Sequence, residues 1–180
     1  MTEPIHDDPL ARLRFVLVRT SHPGNIGAAA RAIRTMGFRN LALVAPQSFP
    51  HAEATALAAG AVDVLEAATV SDDLPAAIGP CRFVLGATAR RRGVTLDELA
   101  PREAAQRILA ALVRGDEVAL LFGNERTGLE NDEIQLCHAA IAIPSDPTYS
   151  SLNLPLAGQV VAYELRLAWL QQSVEAPSAR

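Results

Sequence analysis

The chain contains no lysine: all sixteen basic residues among its 180 are arginine. That absence excludes a Schiff-base lysine, a phosphate-loop lysine and a lysine general base together. Cysteine is scarce. Cys81 and Cys137 lie far apart without a CxxC pattern, which excludes a disulfide framework and a cysteine-rich zinc site and fits a reducing cytoplasm. No run of eighteen apolar residues occurs, so no membrane-spanning helix is expected. The N-terminus, MTEPIHDDPLARL, is acidic and broken by proline, unlike a secretory signal. His6, His22, His51 and His138 show no ligand spacing, and no Ser/His/Asp order stands out. No metal is therefore expected.

What is present describes one globular domain able to bury its own core. Its net charge of −4 hides segregation. Residues 10–50 hold six arginines and no acid, and residues 82–114 carry a local +4. Residues 51–81 hold five acids and no base, and residues 115–180 hold nine acids against three arginines. If the basic segments meet in space they form an anion-binding face. Solvated helix faces would account for them equally well.

Strands and helices alternate. Arg14–Arg19, Leu41–Val44, Arg82–Gly86, Glu117–Phe122 and Ala140–Ile143 read as strands, with Val62–Leu65 as a further short one. Asn25–Met36, His51–Ala59, Asp72–Ile78 with Ser71 as its cap, Pro101–Val113, Asn131–Cys137 and Leu152–Gln171 read as helices. Apolar strands between helices predict an α/β fold: a parallel sheet with helices on both faces. Residues 1–13 and 173–180 read as tails flanking a domain over 14–172.

In such a sheet ligands sit beyond the carboxyl ends of the strands. After the first strand, Thr20–Gly27 (TSHPGNIG) enters a helix bearing Arg31 and Arg34. Free N–H groups, a helix dipole and arginine suit a phosphate. The glycine spacing is not that of a dinucleotide fingerprint, and no ribose-binding acid follows. Gly24 and Gly27 equally suit a tight turn and close packing. After Glu117–Phe122 comes Gly123-Asn124-Glu125-Arg126-Thr127-Gly128-Leu129. Loops of this kind carry function, although Glu125 paired with Arg126 or an asparagine would merely shape the loop. After the last strand, two prolines and a run of hydroxyls (PSDPTYSSLN, 144–153) precede the long helix, which either Ser150 or Ser151 could cap.

These three loops resemble the three motifs of the SpoU/TrmH branch of the SPOUT superfamily of RNA methyltransferases, in that branch's order. The carrying residues are RTSHPGNIGAAARAIRTMG (19–37), FGNERTGL (122–129) and IPSDPTYSSLNL (143–154); GATAR (86–90) and AYELRLAW (162–169) match the TrmJ-like tRNA ribose methyltransferases within it. The resemblance covers residues 14–170.

It implies an α/β fold with a C-terminal trefoil knot, against the general rule that chains are unknotted. It implies S-adenosylmethionine (S-adenosyl-L-methionine) as cofactor, held by Ala87, Thr88 and Ala89, by Gly123 and Ile143, and by Ser150, Ser151 and Leu152. Catalytic positions fall on Asn25, Arg31, Glu125, Ser151 and Asn153. A homodimer would bring Arg31 of one subunit near the cofactor of the other. Guanidinium rarely deprotonates, so Arg31 is expected to clamp a substrate phosphate and stabilise a developing alkoxide, not to act as a base. Arg19, Arg34, Arg90, Arg91, Arg92 and Arg126 are expected to bind RNA.

The expected activity is ribose 2′-O-methylation in tRNA, at cytidine or uridine 32 of the anticodon loop. Alternatives are the wobble nucleotide, ribosomal RNA, an idle RNA-binding member, or a nucleotide-binding protein unrelated to methylation. The missing phosphate-loop lysine argues against the last. Departures from the pattern are Pro155 and Gly158 after SSLNL. TrmJ-like proteins also usually continue into a helical extension, and EAPSAR reads as a linker towards one.

Overall fold

The computed structural model describes residues 8–88 and 95–175. Seven strands form one sheet in which every pairing is parallel. They are β1 (Leu13–Val18), β2 (Leu41–Val44), β3 (Thr69–Ser71), β4 (Phe83–Ala87), β5 (Asp97–Leu99), β6 (Val118–Phe122) and β7 (Ala139–Ile141), in spatial order β3-β2-β1-β6-β4-β7-β5. The helices are α1 (Pro23–Thr35), α2 (Ala52–Ala58), α3 (Val62–Glu66), α4 (Leu74–Ile78), α5 (Pro101–Val113), α6 (Asn131–Ile134) and α7 (Leu154–Glu175).

Strand side chains alternate between two cores. Phe15, Leu17, Leu41, Leu43, Leu85, Leu120 and Phe122 face α1, α5 and α7. Val16, Val18, Ala42, Val44, Val84, Ala119 and Leu121 face the thinner layer of α4 and α6. Burial on both faces explains why the central strands are continuous apolar runs. Phe15 anchors the larger core, stacked on Phe122 at 6.2 Å and tilted against Phe38 at 5.4 Å between ring centroids. Helix α1 meets α2 where Gly27 stands; a Cβ there would lie 2.0 Å from the Ala54 carbonyl oxygen.

Several elements differ from the sequence reading. Val62–Leu65 is helical within α3, with Val64 and Leu65 buried. Strand propensity yields to packing there. β3 and β5 are unanticipated edge strands of three residues each. Ser71 ends β3, and Asp73 caps α4 by accepting from Ala76 N at 2.8 Å. The helix at Asn131 is a single turn, and β7 covers Ala139–Ile141. Neither Ser150 nor Ser151 caps α7; Asn153 Oδ1 accepts from Leu156 N at 3.0 Å. Within residues 1–13, read as a tail, Pro9–Arg12 forms a 3₁₀ turn whose Leu10 is buried.

Among the described residues, most arginines of the first basic segment are paired within the chain. Arg14 pairs with Glu117 at 2.7 Å, Arg19 with Glu133 at 2.7 Å, and Arg34 and Arg39 with Asp63 at 3.2 and 3.4 Å. Arg12 donates to the Leu112 carbonyl. The acidic segments thus neutralise most of residues 10–50. Exposed Arg31 has no intrachain ion pair or side-chain hydrogen bond among the described residues.

Candidate active site

A parallel sheet brings the loops after β1, β4, β6 and β7 to one edge. A cavity of about 570 Å³ opens there, of a size suited to a small organic ligand. Glu125 joins two of these loops. Its carboxylate accepts from Ser21 N at 2.9 Å, His22 N at 2.8 Å and Asn25 Nδ2 at 3.1 Å. Burial alone would raise the Glu125 carboxyl; the hydrogen bonds from Ser21, His22 and Asn25 outweigh it and hold the carboxyl below its ordinary value. The partners of the Glu125 side chain, Ser21, His22 and Asn25, lie in the β1–α1 loop and the start of α1.

Asn124, absent from the sequence-based candidates, makes the second tie. Its Nδ2 donates to the Arg19 carbonyl at 2.7 Å and to Ser21 Oγ at 2.9 Å. Its Oδ1 accepts from Arg126 N at 2.9 Å. Arg19 makes the third. With a φ of 55°, it turns its side chain onto α6, where Nε and Nη2 meet the Glu133 carboxylate at 2.7 and 3.0 Å. Nη2 also reaches the Gly128 carbonyl at 3.2 Å. The hydrogen bond that Arg19 donates to Glu133 raises the Arg19 pKa further against the opposing effect of burial. Arg19, expected on RNA, is thus committed to a nearly buried carboxylate. Glu133 was signalled only by the Glu130-x-x-Glu133 pattern, which proves to be a capping box.

The cavity brings together Asn25, Glu125, Ser151 and Asn153 with Ala87, Thr88, Gly123, Ile143, Ser150 and Leu152. Arg126 also lines it. Arg31 does not: it lies six residues beyond Asn25 on α1, about 9 Å along the axis. Arg34 also stands away, beside Asp63. Ala89, Arg90, Arg91 and Arg92 lie outside the described residues. Gly123 packs against the far end of its own loop; a Cβ would lie 2.2 Å from both Gly128 C and Leu129 N. Glu98, Asn124 and Tyr149 line the cavity without having been singled out in the sequence. Among the described residues no group of three or more His, Cys, Asp or Glu could hold a metal, and no helix is long and apolar enough to cross a membrane.

An open parallel sheet with its cavity built from strand-end loops defines an α/β enzyme-type site. The SpoU rRNA Methylase family model matches residues 12–163, and the chain belongs to that family. It is similar to the tRNA (cytidine/uridine/adenosine-2′-O-)-methyltransferase TrmJ of Pseudomonas aeruginosa, at 53% identity over 89% of this chain and 63% of that protein. The tRNA (cytidine/uridine-2′-O-)-methyltransferase TrmJ of Citrobacter koseri is 51% identical over 89% of this chain and 66% of its own length. The chain therefore spans slightly under two thirds of these curated relatives. The crystal structure of TrmJ from Z. mobilis ZM4 superposes with a TM-score of 0.79 at 40% identity, covering 85% of this chain and 67% of that one.

Proposed function

We propose that this protein transfers a methyl group from S-adenosylmethionine to a ribose 2′-hydroxyl of tRNA, at cytidine or uridine 32 of the anticodon loop. The carrying observation is the cavity that unites Asn25, Glu125, Ser151 and Asn153 with the wall formed by Gly123, Ile143 and Leu152. The similarity to TrmJ proteins supports the substrate class. The fold is proposed to carry the C-terminal trefoil knot, and the protein to work in the cytoplasm.

The cavity fits the cofactor in size and chemistry. Apolar walls at Leu129, Ile143 and Leu152 suit an adenine ring. Backbone groups after β4, β6 and β7 suit its polar edges, and Gly123 lets its loop fold back onto Gly128 and Leu129 beside the cavity. Bound there, S-adenosylmethionine supplies an electrophilic methyl carbon on a cationic sulfur. The protein has to hold the ribose oxygen in line with that carbon and relieve it of its proton. Positioning of this kind lowers barriers by on the order of 7–11 kcal/mol in favourable cases. Glu125 fixes Asn25 and the backbone at Ser21 and His22, which sets the mouth of the cavity.

Arg31 is proposed to act in the site of a second copy. It is exposed, off its own cavity and unpaired among the described residues, as such a role requires. Leu156, Tyr163 and Leu170, spaced by seven residues on α7 and 52%, 50% and 45% exposed, offer an apolar stripe for a homodimer. Arg31 clamps a substrate phosphate by two hydrogen bonds and stabilises the developing alkoxide while the proton leaves to phosphate, water or a serine. Arg126, Arg34 and the Arg90–Arg92 run contact the RNA backbone. Arg19 is reassigned to holding the loop.

The test is calorimetric titration with S-adenosylhomocysteine beside a methyl-transfer assay on unmodified tRNA and ribosomal RNA. Saturable cofactor-product binding with transfer to tRNA is expected. Absence of that binding would overturn the reading.

A further inference from the structure

Aromatic residues are few: five Phe, two Tyr and one Trp. The phenylalanines and Trp169 belong to the larger core or pack against it. Tyr163 is half exposed on α7, whereas Tyr149 is 87% exposed. Among the described residues nothing covers this side chain, yet its backbone is well held. Asp146 Oδ1 accepts from Thr148 N at 2.7 Å, and Tyr149 N donates to the Asp146 carbonyl at 3.1 Å. Ser145 Oγ donates to the Ser150 carbonyl at 2.9 Å, closing the base of the turn. The turn therefore presents Tyr149 at a fixed place on the rim of the cavity that Ser151 and Asn153 also line.

Leu129, Ile143 and Leu152 supply the apolar lining of the cavity. Tyr149, 87% exposed, lines its open rim, where a polynucleotide has to approach. Every nucleobase has a π-face, and single-stranded RNA loops are recognised by stacking unpaired bases on aromatic side chains. Tyrosine suits this use because only two side-chain torsions are frozen. Arg126 lines the same cavity and is exposed, so a phosphate contact accompanies the stacking surface.

We propose that Tyr149 is the platform on which the substrate RNA stacks an unpaired nucleobase as its ribose enters the cavity. The proposal rests on the RNA methyltransferase reading above. It adds a substrate-contact residue at the rim of the cavity.

The experiment uses the full chain with Tyr149→Ala, Tyr149→Leu and Tyr149→Phe. The measurements are S-adenosylhomocysteine affinity, affinity for an anticodon stem-loop oligonucleotide by fluorescence anisotropy, KM and kcat on unmodified tRNA, thermal unfolding and oligomeric state. Exposure of the ring predicts unchanged thermal unfolding in all three variants. Alanine and leucine are expected to weaken RNA binding roughly 5- to 100-fold, while phenylalanine retains it and cofactor-product affinity stays constant. Unchanged RNA affinity and KM in Tyr149→Ala would overturn the proposal. So would a parallel fall in S-adenosylhomocysteine affinity, which assigns the ring to the cofactor, or a shift to monomer, which assigns it to a subunit contact. Wild-type protein that binds the stem-loop in a ring-dependent way but transfers no methyl group would overturn the proposed activity and support the stacking platform. Absence of RNA binding would overturn both.

Discussion

Glu125 Oε2 accepts a hydrogen bond from Asn25 Nδ2 at 3.1 Å, joining side chains one hundred residues apart in the chain. The same carboxylate holds the backbone N–H groups of Ser21 and His22. The loops after β1 and β6 therefore behave as one unit, and adjacency of those two strands in the sheet makes this possible.

Replacement Glu125→Gln keeps the shape and removes the charge. The Glu125 carboxyl sits below its ordinary value of 4.5, so its stabilisation is complete above the ordinary carboxylate range. It is lost as pH falls through the lowered folded value. The variant is expected to be about 1 kcal/mol less stable at neutral pH, a figure reduced for partial exposure. Urea unfolding of both proteins at pH ~7 and pH ~3 checks it, the difference shrinking at the lower pH.

Gly123→Ala is expected to abolish S-adenosylhomocysteine binding, because the added carbon meets backbone 2.2 Å away. Gly158→Ala on α7 meets nothing within 4 Å. It should leave binding intact and stabilise by about 0.5–1 kcal/mol through helix propensity. Thermal shift with and without ligand separates the two variants.

Arg19→Ala leaves Glu133, 7% exposed, without its cation. A cost of about 2 kcal/mol is expected, less than a fully buried pair because Arg19 is partly solvated. Arg34→Ala breaks an exposed pair with Asp63 and should change stability by less than about 0.5 kcal/mol. Chemical denaturation of both variants is the check.

The central strands were legible because burial on both faces demands unbroken apolar runs, as in Val118–Phe122. β3 and β5 were not, since three-residue edge strands such as Asp97-Glu98-Leu99 carry no pattern of their own. The loops of the site were legible as loops. Their wiring was hidden because each partner is distant: Glu133 lies 114 residues from Arg19. Charge counting placed Arg19 on RNA for the same reason, as no local feature announces a buried acid on another element.

Arg31→Lys preserves charge and loses the planar fork. Turnover on tRNA is expected to fall at least tenfold, with cofactor-product affinity unchanged. Near-wild-type turnover would remove the two-bond phosphate clamp.

The most direct measurement is methyl transfer from labelled S-adenosylmethionine into unmodified tRNA, followed by nucleoside mass spectrometry and mapping of the modified position. The expected result is 2′-O-methylcytidine or 2′-O-methyluridine at position 32 of the anticodon loop. A base-methylated nucleoside, or cofactor binding without any ribose methylation of tRNA, would contradict it.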